Sequence, residues 1–319
     1  MNTLCRPALL AIACATLLAP NSRAEGPNPI DADRAFGYLE QLCELGPRPS
    51  GSGAMRQQQD LLRQHFAPLA DDVVDQRCTA PNPLGGPKVL ITNIIARFNP
   101  AAEERLIVCA HYDTRPLPDR DPNPTAARAG RFIGANDGAS GTALLMELAH
   151  HQEALAGPLG IDLVLFDGEE LVYNDRRDPY FLGSTWFAMQ YKKGKHPGGK
   201  YKYAVLVDMI ADADLDLYYE INSWRWKDTR PLVQSLWKTA DRLGIDEFHP
   251  RTKHQANDDH VPLHKIGKIP ACDIIDFDYP HWHTESDVPR NCSSESLAKV
   301  GWVVLEWIKA EQAQAAAGD

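Results

Sequence analysis

The chain has 319 residues, a hydrophobic fraction of 44% and a net charge of −10. This length fits one large or two ordinary globular domains, and the apolar content is sufficient for a sizeable core. The excess of acidic groups argues against nucleic acid or an anionic membrane surface as the partner.

Residues 1–24 have the pattern of a secretory signal peptide. Arg6 supplies a short basic region, an apolar run extends from Ala8 to Leu18, and Ser22-Arg23-Ala24 forms a small-x-small cleavage site. The apolar run is too short to span a bilayer as a helix. We therefore expect an exported protein, periplasmic or secreted, with no integral membrane association.

A lipoprotein is the weaker alternative for this N-terminus. Ala13-Cys14 resembles a lipobox, but the apolar run continues past it. A cleaved form is therefore expected, in which residues 25–319 make a single catalytic domain.

Five cysteines remain after residue 24, at Cys43, Cys78, Cys109, Cys272 and Cys292. They contain no Cys-x-x-Cys motif, so a thiolate zinc site is not expected. Cys109 lies in an apolar run and is predicted to pack as a small hydrophobic residue. Export permits disulfides, and Cys272 with Cys292 is a candidate pair.

Hydrophobic periodicity predicts alternating helices and strands along the chain. In chain order these are a helix over 31–45 with Asp31 as its N-cap, a second helix ending near 66, strands over 73–79, 89–98 and 106–112, a helix after 137, a strand over 163–166, a helix over 184–191, a strand over 203–208, a helix over 231–243, a strand over 269–277 and a C-terminal helix. There is no internal repeat and no low-complexity linker. The pattern predicts a single α/β domain with a mostly parallel central sheet flanked by helices.

Polar residues follow the buried strands of this pattern. The strand that ends at Phe166 is followed by Asp167-Gly168-Glu169-Glu170, which places two adjacent carboxylates at the carboxyl edge of the sheet, where open α/β sheets hold their sites. Because neighbouring residues there point in different directions, one carboxylate can bind a metal while the other acts as a base. Further groups follow the other strands, namely His111-Tyr112-Asp113, Asp137, Asp208 and Trp282-His283-Thr284.

These groups are imidazoles and carboxylates without thiolates, the donor set typical of a catalytic zinc that keeps one position open. His111-x-Asp113 also has the pattern of an imidazole oriented by a carboxylate. Each group alone has an ordinary explanation, such as a solvated Glu-Glu turn, a structural histidine or an acidic helix cap. Their occurrence at successive strand ends favours one shared site.

The order of these motifs resembles that of the zinc aminopeptidase clan with co-catalytic metals. The matching motifs are His111-x-Asp113, Asn136-Asp137-Gly138, Asp167-Gly168-Glu169-Glu170, Asp208 and His283-Thr284-x-x-Asp287. Within that clan the chain is most similar to the glutaminyl-peptide cyclotransferases, or glutaminyl cyclases. Asp258-Asp259-His260-Val261-Pro262 and the Trp282 directly before His283 point to that branch.

The resemblance implies a role for each matching position. Asp137, Glu170 and His283 match the ligands of the single catalytic zinc in the cyclases. Glu169 matches the general acid/base, and Asp258 matches a second essential carboxylate. Three further residues are expected to line the substrate pocket, namely Trp282, Asp208 and His111.

Some of these positions have simpler explanations, and one region departs from the family. Trp282 alone can be an ordinary half-buried aromatic residue, and Asp258 or Asp259 can be a helix N-cap. The animal members carry a pocket tryptophan after the glutamate pair, whereas this chain has Leu171-Val172-Tyr173-Asn174-Asp175. It also lacks the animal disulfide beside the His-x-Asp motif. These departures concern the substrate pocket more than the chemistry.

The resemblance implies an enzyme that converts the N-terminal glutamine of peptides or proteins to pyroglutamate and releases ammonia. It would use one zinc. Apart from the resemblance, we expect the protein to be a monomer. The alternative is an aminopeptidase with two zincs, since Asp208 and His111 match ligands of the second zinc in the peptidases. A non-catalytic zinc-binding or peptide-binding protein is a third possibility, which the intact Glu169 disfavours.

Overall fold

The chain is described by a computed structural model that covers residues 26–196 and 198–318. Within these residues it has eight strands: β1 (Asp72–Ala80), β2 (Val89–Phe98), β3 (Glu104–His111), β4 (Gly160–Phe166), β5 (Lys200–Asp208), β6 (Leu217–Tyr219), β7 (Phe248–Thr252) and β8 (Ala271–Ile275). Six of them form the central sheet in the order β1-β2-β4-β3-β5-β8, and β6 pairs with β7 in a small separate sheet.

The central sheet is parallel where it carries the site. β3 pairs in parallel with both β4 and β5, and β5 pairs in parallel with β8. β1 and β2 extend the other side of the sheet in antiparallel pairing. The predicted fold class is therefore confirmed.

Helices cover both faces of the sheet. In chain order they are α1 (Ala32–Glu44), α2 (Gly53–Phe66), α3 (Ala126–Ala129), α4 (Ala139–Leu148), α5 (Gln152–Leu155), α6 (Leu182–Lys192), α7 (Ile221–Arg225), α8 (Arg230–Leu243), α9 (His260–Pro262) and α10 (Ser294–Gly318), with a π-helical turn at Leu263–Gly267 and a 3₁₀ turn at Pro289–Asn291. Asp31 caps α1 as predicted, because its carboxylate accepts a hydrogen bond from the Arg34 N–H at 3.0 Å.

The two hydrophobic cores lie on opposite faces of the sheet because side chains alternate along each strand. Leu106 and Val108 of β3 join the larger core with α1, α2, α4, α8 and α10. Ile107 and Cys109 face the smaller core, where Phe187 of α6 packs. Every side chain of β4 is buried, as expected for a strand covered on both faces.

The predicted disulfide is wrong, because Cys272 and Cys292 are both free thiols. Cys272 is the second residue of β8 and lies opposite Val205. Cys292 instead forms an isolated bridge with Asp212, which follows the carboxyl end of β5. The two thiols therefore lie at opposite ends of these strands. Cys109 is fully buried, as predicted for a small hydrophobic residue.

Two predictions concern membranes and export. Among the residues that the structure describes, no helix combines the length and apolar character needed to cross a membrane. The predicted signal peptide over residues 1–24 and the lipobox-like Ala13-Cys14 lie outside the described residues. The export prediction therefore rests on the sequence pattern.

Candidate active site

The parallel strands bring the predicted residues to one edge of the sheet. The register places His111 at the end of β3 opposite Phe166 of β4, directly before the Glu169-Glu170 segment. Asp208, the last residue of β5, lies opposite Ile275 of β8. The eight residues that the sequence singled out all line one cavity of about 400 Å³: His111, Asp137, Glu169, Glu170, Asp208, Asp258, Trp282 and His283.

Asp137, Glu170 and His283 form a compact group of metal-donor atoms. One donor atom from each lies within 4.8 Å of the other two. The His283 Nε2 atom is 2.8 Å from Glu170 Oε1 and 3.4 Å from Asp137 Oδ2. Asp137 Oδ2 is buried and has no hydrogen-bond partner. Two carboxylates and one imidazole, with one carboxylate oxygen that lacks a hydrogen-bond partner, fit a three-ligand catalytic zinc site.

Two further donor groups overlap this one. His111 Nε2 lies 3.1 Å from Asp137 Oδ1 and 3.2 Å from Asp208 Oδ1. These three residues could also hold a metal ion, as could His111 with Glu169 and Glu170. The three donor groups therefore share residues and lie side by side.

Two buried aspartates outside the three donor groups fix the loops that carry the donors. The Asp113 carboxylate accepts hydrogen bonds from the N–H groups of Glu169 and Glu170, each at 3.1 Å. The Asp287 carboxylate accepts from the N–H groups of Asn136 at 2.8 Å and Asp137 at 3.1 Å. Each aspartate thus sets the direction of a donor side chain through the backbone.

The Asp113 carboxylate lies beside His111, as predicted, but the shorter contact is made by the main chain of Asp113. His111 Nδ1 lies 3.2 Å from the backbone carbonyl oxygen of Asp113, whereas the carboxylate is 3.8 Å away. The carboxylate turns instead to the Glu169-Glu170 backbone. The His-x-Asp motif therefore orients the imidazole through its main chain.

Gly138 is required by the close approach of the Asp137 turn to β3. Its φ is +91°, in the region that favours glycine. A Cβ at this position would lie 2.8 Å from the Asp113 carbonyl oxygen and 3.0 Å from His111 Cε1. The glycine of Asn136-Asp137-Gly138 therefore lets Asp137 reach the other donors.

Glu169 and Asp258 are carboxyl groups in a strongly acidic, buried environment. Burial, followed by the charge of Glu170, raises the pKa of Glu169 well above its ordinary value. Burial, followed by the charge of Asp208, also raises the pKa of Asp258 well above its ordinary value. Such groups exchange protons more readily near neutral pH than a solvated carboxylate does.

The helix-cap explanation for Asp259 fails, and the Asp258 carboxylate accepts a hydrogen bond from the N–H of Asp259, the residue before α9. The residue before α9 is Asp259, and its side chain caps no backbone N–H of that helix. The Asp259 carboxylate instead accepts a hydrogen bond from the Ser184 hydroxyl. The Asp258 carboxylate lines the cavity.

Trp282 is half-buried at the cavity wall. Its ring packs against Phe277 at 4.8 Å between centroids, and the Arg120 guanidinium lies over it at 3.9 Å. The cavity is also lined by Tyr180 and Phe181, which follow the loop where the expected tryptophan is missing. Aromatic side chains therefore border the acidic floor of the cavity.

The sequence analysis missed Arg115, Asp119 and Arg120, because they lie between the strand predicted over 106–112 and the helix predicted after 137. The Arg115 N–H donates to Glu170 Oε2 at 2.8 Å, and its guanidinium pairs with Asp119. The available signal was an arginine two residues after Asp113, next to a motif already assigned to the site.

A mostly parallel sheet with histidine and carboxylate donors at its carboxyl edge defines the zinc aminopeptidase-like class of proteins. The model of peptidase family M28 matches residues 93–308. A Zn-dependent exopeptidase from Parabacteroides distasonis is 30% identical with a TM-score of 0.81, over 89% of this chain and 99% of that one.

Other relatives are glutaminyl cyclases. The glutaminyl cyclase of Fimbriiglobus ruber is 40% identical with a TM-score of 0.84, over 91% of this chain and 99% of that one. The glutaminyl-peptide cyclotransferase of Bothrops jararaca is 27% identical over 251 residues, which make up 68% of this chain and 66% of that protein. The match thus spans just under two thirds of that curated relative. The chain belongs to the glutaminyl-peptide cyclotransferase family within peptidase family M28.

Proposed function

We propose that the protein is a zinc-dependent glutaminyl cyclase, which converts N-terminal glutamine of peptides and proteins to pyroglutamate and releases ammonia. The observation that carries this proposal is the pair of buried carboxyl groups, Glu169 and Asp258, in the same cavity as a three-residue donor group. The glutaminyl cyclases among the relatives support the same activity.

Asp137, Glu170 and His283 are the proposed zinc ligands, because their donor atoms converge and one carboxylate oxygen lacks a partner. The chemistry supplied by bound zinc is Lewis-acid polarisation of the glutamine side-chain amide. The protein must then move one proton between the attacking and the leaving nitrogen.

Glu169 is the proposed proton carrier. The α-amine of the substrate forms a bond to the side-chain amide carbon while losing a proton to the Glu169 carboxylate. The bond from that carbon to the amide nitrogen then breaks, and Glu169 returns the proton, so that ammonia leaves. Asp258 accepts a hydrogen bond from the amide nitrogen and orients it. Trp282 provides an apolar wall that keeps water from attacking the same carbon.

We also propose that the enzyme is exported and acts as a monomer. Export is supported by the signal-peptide pattern of residues 1–24, with residues 25–319 as the catalytic domain. The monomer is supported by the surface, since the described residues include three exposed large hydrophobic side chains, at Leu84, Leu90 and Tyr173. This is little apolar surface for an obligate dimer interface.

The second candidate is a di-zinc aminopeptidase. It is favoured by the second donor group of His111, Asp137 and Asp208 and by the exopeptidase relative. In that enzyme Glu169 would activate water instead of an amine. The decisive experiment compares ammonia release from Gln-Xaa peptides with release of free Xaa from Leu-Xaa peptides. Ammonia release alone supports the cyclase, and free Xaa from Leu-Xaa rejects it.

The cyclase is expected to hold one zinc per chain. Asp258 and Trp282 border the cavity, and Asp208 and His111 then serve as pocket residues. Metal analysis of the purified protein measures the number of zinc ions per chain. Activity titrated against added zinc shows how many of them are needed. Two tightly held zincs that are both needed for activity would favour the aminopeptidase.

A further inference from the structure

The segment from Arg115 to Asp121 lies along the segment that carries His283. The Arg120 N–H donates to the His283 carbonyl oxygen at 3.1 Å. The Glu285 N–H donates to Asp121 Oδ2 at 2.9 Å. Between these two contacts, Asp119 Oδ1 lies 3.0 Å from His283 Nδ1. Main chain and side chain of His283 are therefore both held by one loop.

His283 needs such support. Its φ is +56°, in the left-handed region that residues with a Cβ rarely adopt. Such a conformation persists where the surrounding structure enforces it. The hydrogen bond from the Arg120 N–H to the His283 carbonyl oxygen acts on that main chain, which leaves the direction of the ring to be fixed separately.

Asp119 is the group placed to fix the ring. The His283 side chain is 6% exposed, and its Nε2 points toward Glu170 and Asp137. Its Nδ1 is buried without a well-formed hydrogen bond, and Asp119 Oδ1 is the carboxylate oxygen beside it.

Arg115 in turn fixes Asp119. Its Nε and Nη2 atoms bind the two carboxylate oxygens of Asp119, each at 2.8 Å. The Arg115 side chain is 3% exposed, so it has little freedom to move. Its backbone N–H also binds Glu170 Oε2, so one residue restrains two of the proposed ligands.

We propose that Asp119, held by Arg115, is a positioning residue that sets the tautomer and direction of His283. A carboxylate at Nδ1 keeps the proton there and leaves the Nε2 lone pair free for a metal ion. This inference rests on the proposed zinc site, but it assigns Asp119 no contact with substrate.

The test measures zinc affinity of the full chain by competition with a chromophoric chelator, in parallel with kcat and KM. Asp119→Ala is expected to weaken zinc binding by about 10- to 100-fold, the usual cost of losing such a partner. Asp119→Asn keeps an oxygen acceptor and the size of the side chain, so it should fold normally. Its zinc affinity should lie between that of Asp119→Ala and that of the wild type. The ¹⁵N shifts of His283 in the zinc-free protein, recorded at a pH where the ring is neutral, should show the Nδ1-protonated tautomer in the wild type and a mixture of tautomers in Asp119→Ala.

Two matched controls separate this role from general loop damage. Asp121→Ala removes a carboxylate from the same loop that binds the Glu285 backbone and not the His283 ring. Asp175→Ala removes another acidic partner of the Arg115 guanidinium, one that does not contact His283. Both are expected to keep near-normal zinc affinity. Unchanged zinc affinity in Asp119→Ala, or an equal loss in Asp121→Ala, would overturn the assignment. A wild-type protein that binds no zinc would instead reject the proposed function, and this inference with it.

Discussion

Glu169→Gln is expected to keep its zinc and to lose activity by a factor near the upper end of about 10²–10⁴, the range for a positioned acid/base. Glutamine has nearly the same shape and cannot carry a proton, and Glu169 is not among the three proposed ligands. The main-chain hydrogen bond from Glu169 to Asp113 is unaffected by the change. The loss should appear mainly in kcat, because the missing interaction belongs to the transition state.

Asp258→Asn is the matched variant for this experiment. Both carboxyl groups are buried in the same cavity, and both have a raised pKa. If Asp258 only orients the amide nitrogen, its variant loses less activity than Glu169→Gln. A loss of only a few-fold in Glu169→Gln, with zinc retained, would transfer the proton-carrying role to Asp258.

His283→Ala is expected to cost both the metal and the activity. The change removes one of three donors and leaves Glu170 and Asp137 as adjacent buried carboxylates with no imidazole between them. The loss in zinc affinity should exceed the roughly 100-fold that the loss of an outer partner alone can cause. Metal content after dialysis and turnover of a Gln-Xaa peptide measure the two effects.

His281→Ala is the control for that variant. His281 lies two residues away, its ring packs edge-on against Tyr279, and it does not line the cavity. It should keep zinc and turnover near wild-type levels. If His283→Ala also keeps its zinc and its turnover, His283 is not a ligand, and His111 becomes the candidate imidazole ligand.

Much of the fold could be predicted from local patterns because its central strands are buried on both faces. Residues 89–98 were predicted with the observed bounds of β2, and the apolar runs located β3, β4 and β5. β6 and β7 were missed, since one is three residues long and the other has the polar sequence Phe-His-Pro-Arg-Thr. The helix predicted after 137 is followed by a separate short helix, α5, which the sequence pattern did not distinguish from it.

For the site, the sequence identified the donor residues but not the hydrogen bonds that position them. Donors follow predicted strand ends, and parallel pairing brings those ends together. Asp113, Asp119 and Asp287 act on residues from 56 to 164 positions away. Such contacts leave no local periodicity. Asp113 and Asp287 stood in motifs that the sequence analysis singled out, but the backbone groups that they bind could not be predicted. Asp119 looked like an ordinary polar loop residue until the fold placed His283 beside it.

The pairing of β5 with β8 has a consequence for how the protein folds. Residues 209–270 intervene between these neighbouring strands, so their contact closes a long loop and is slow to form. Asp258 lies within residues 209–270, and Trp282 and His283 follow β8. The amino-terminal half of the site can therefore assemble around β3 and β4 before its other wall is present. Partial unfolding that detaches β8 from the sheet edge would abolish catalysis while leaving most of the core intact.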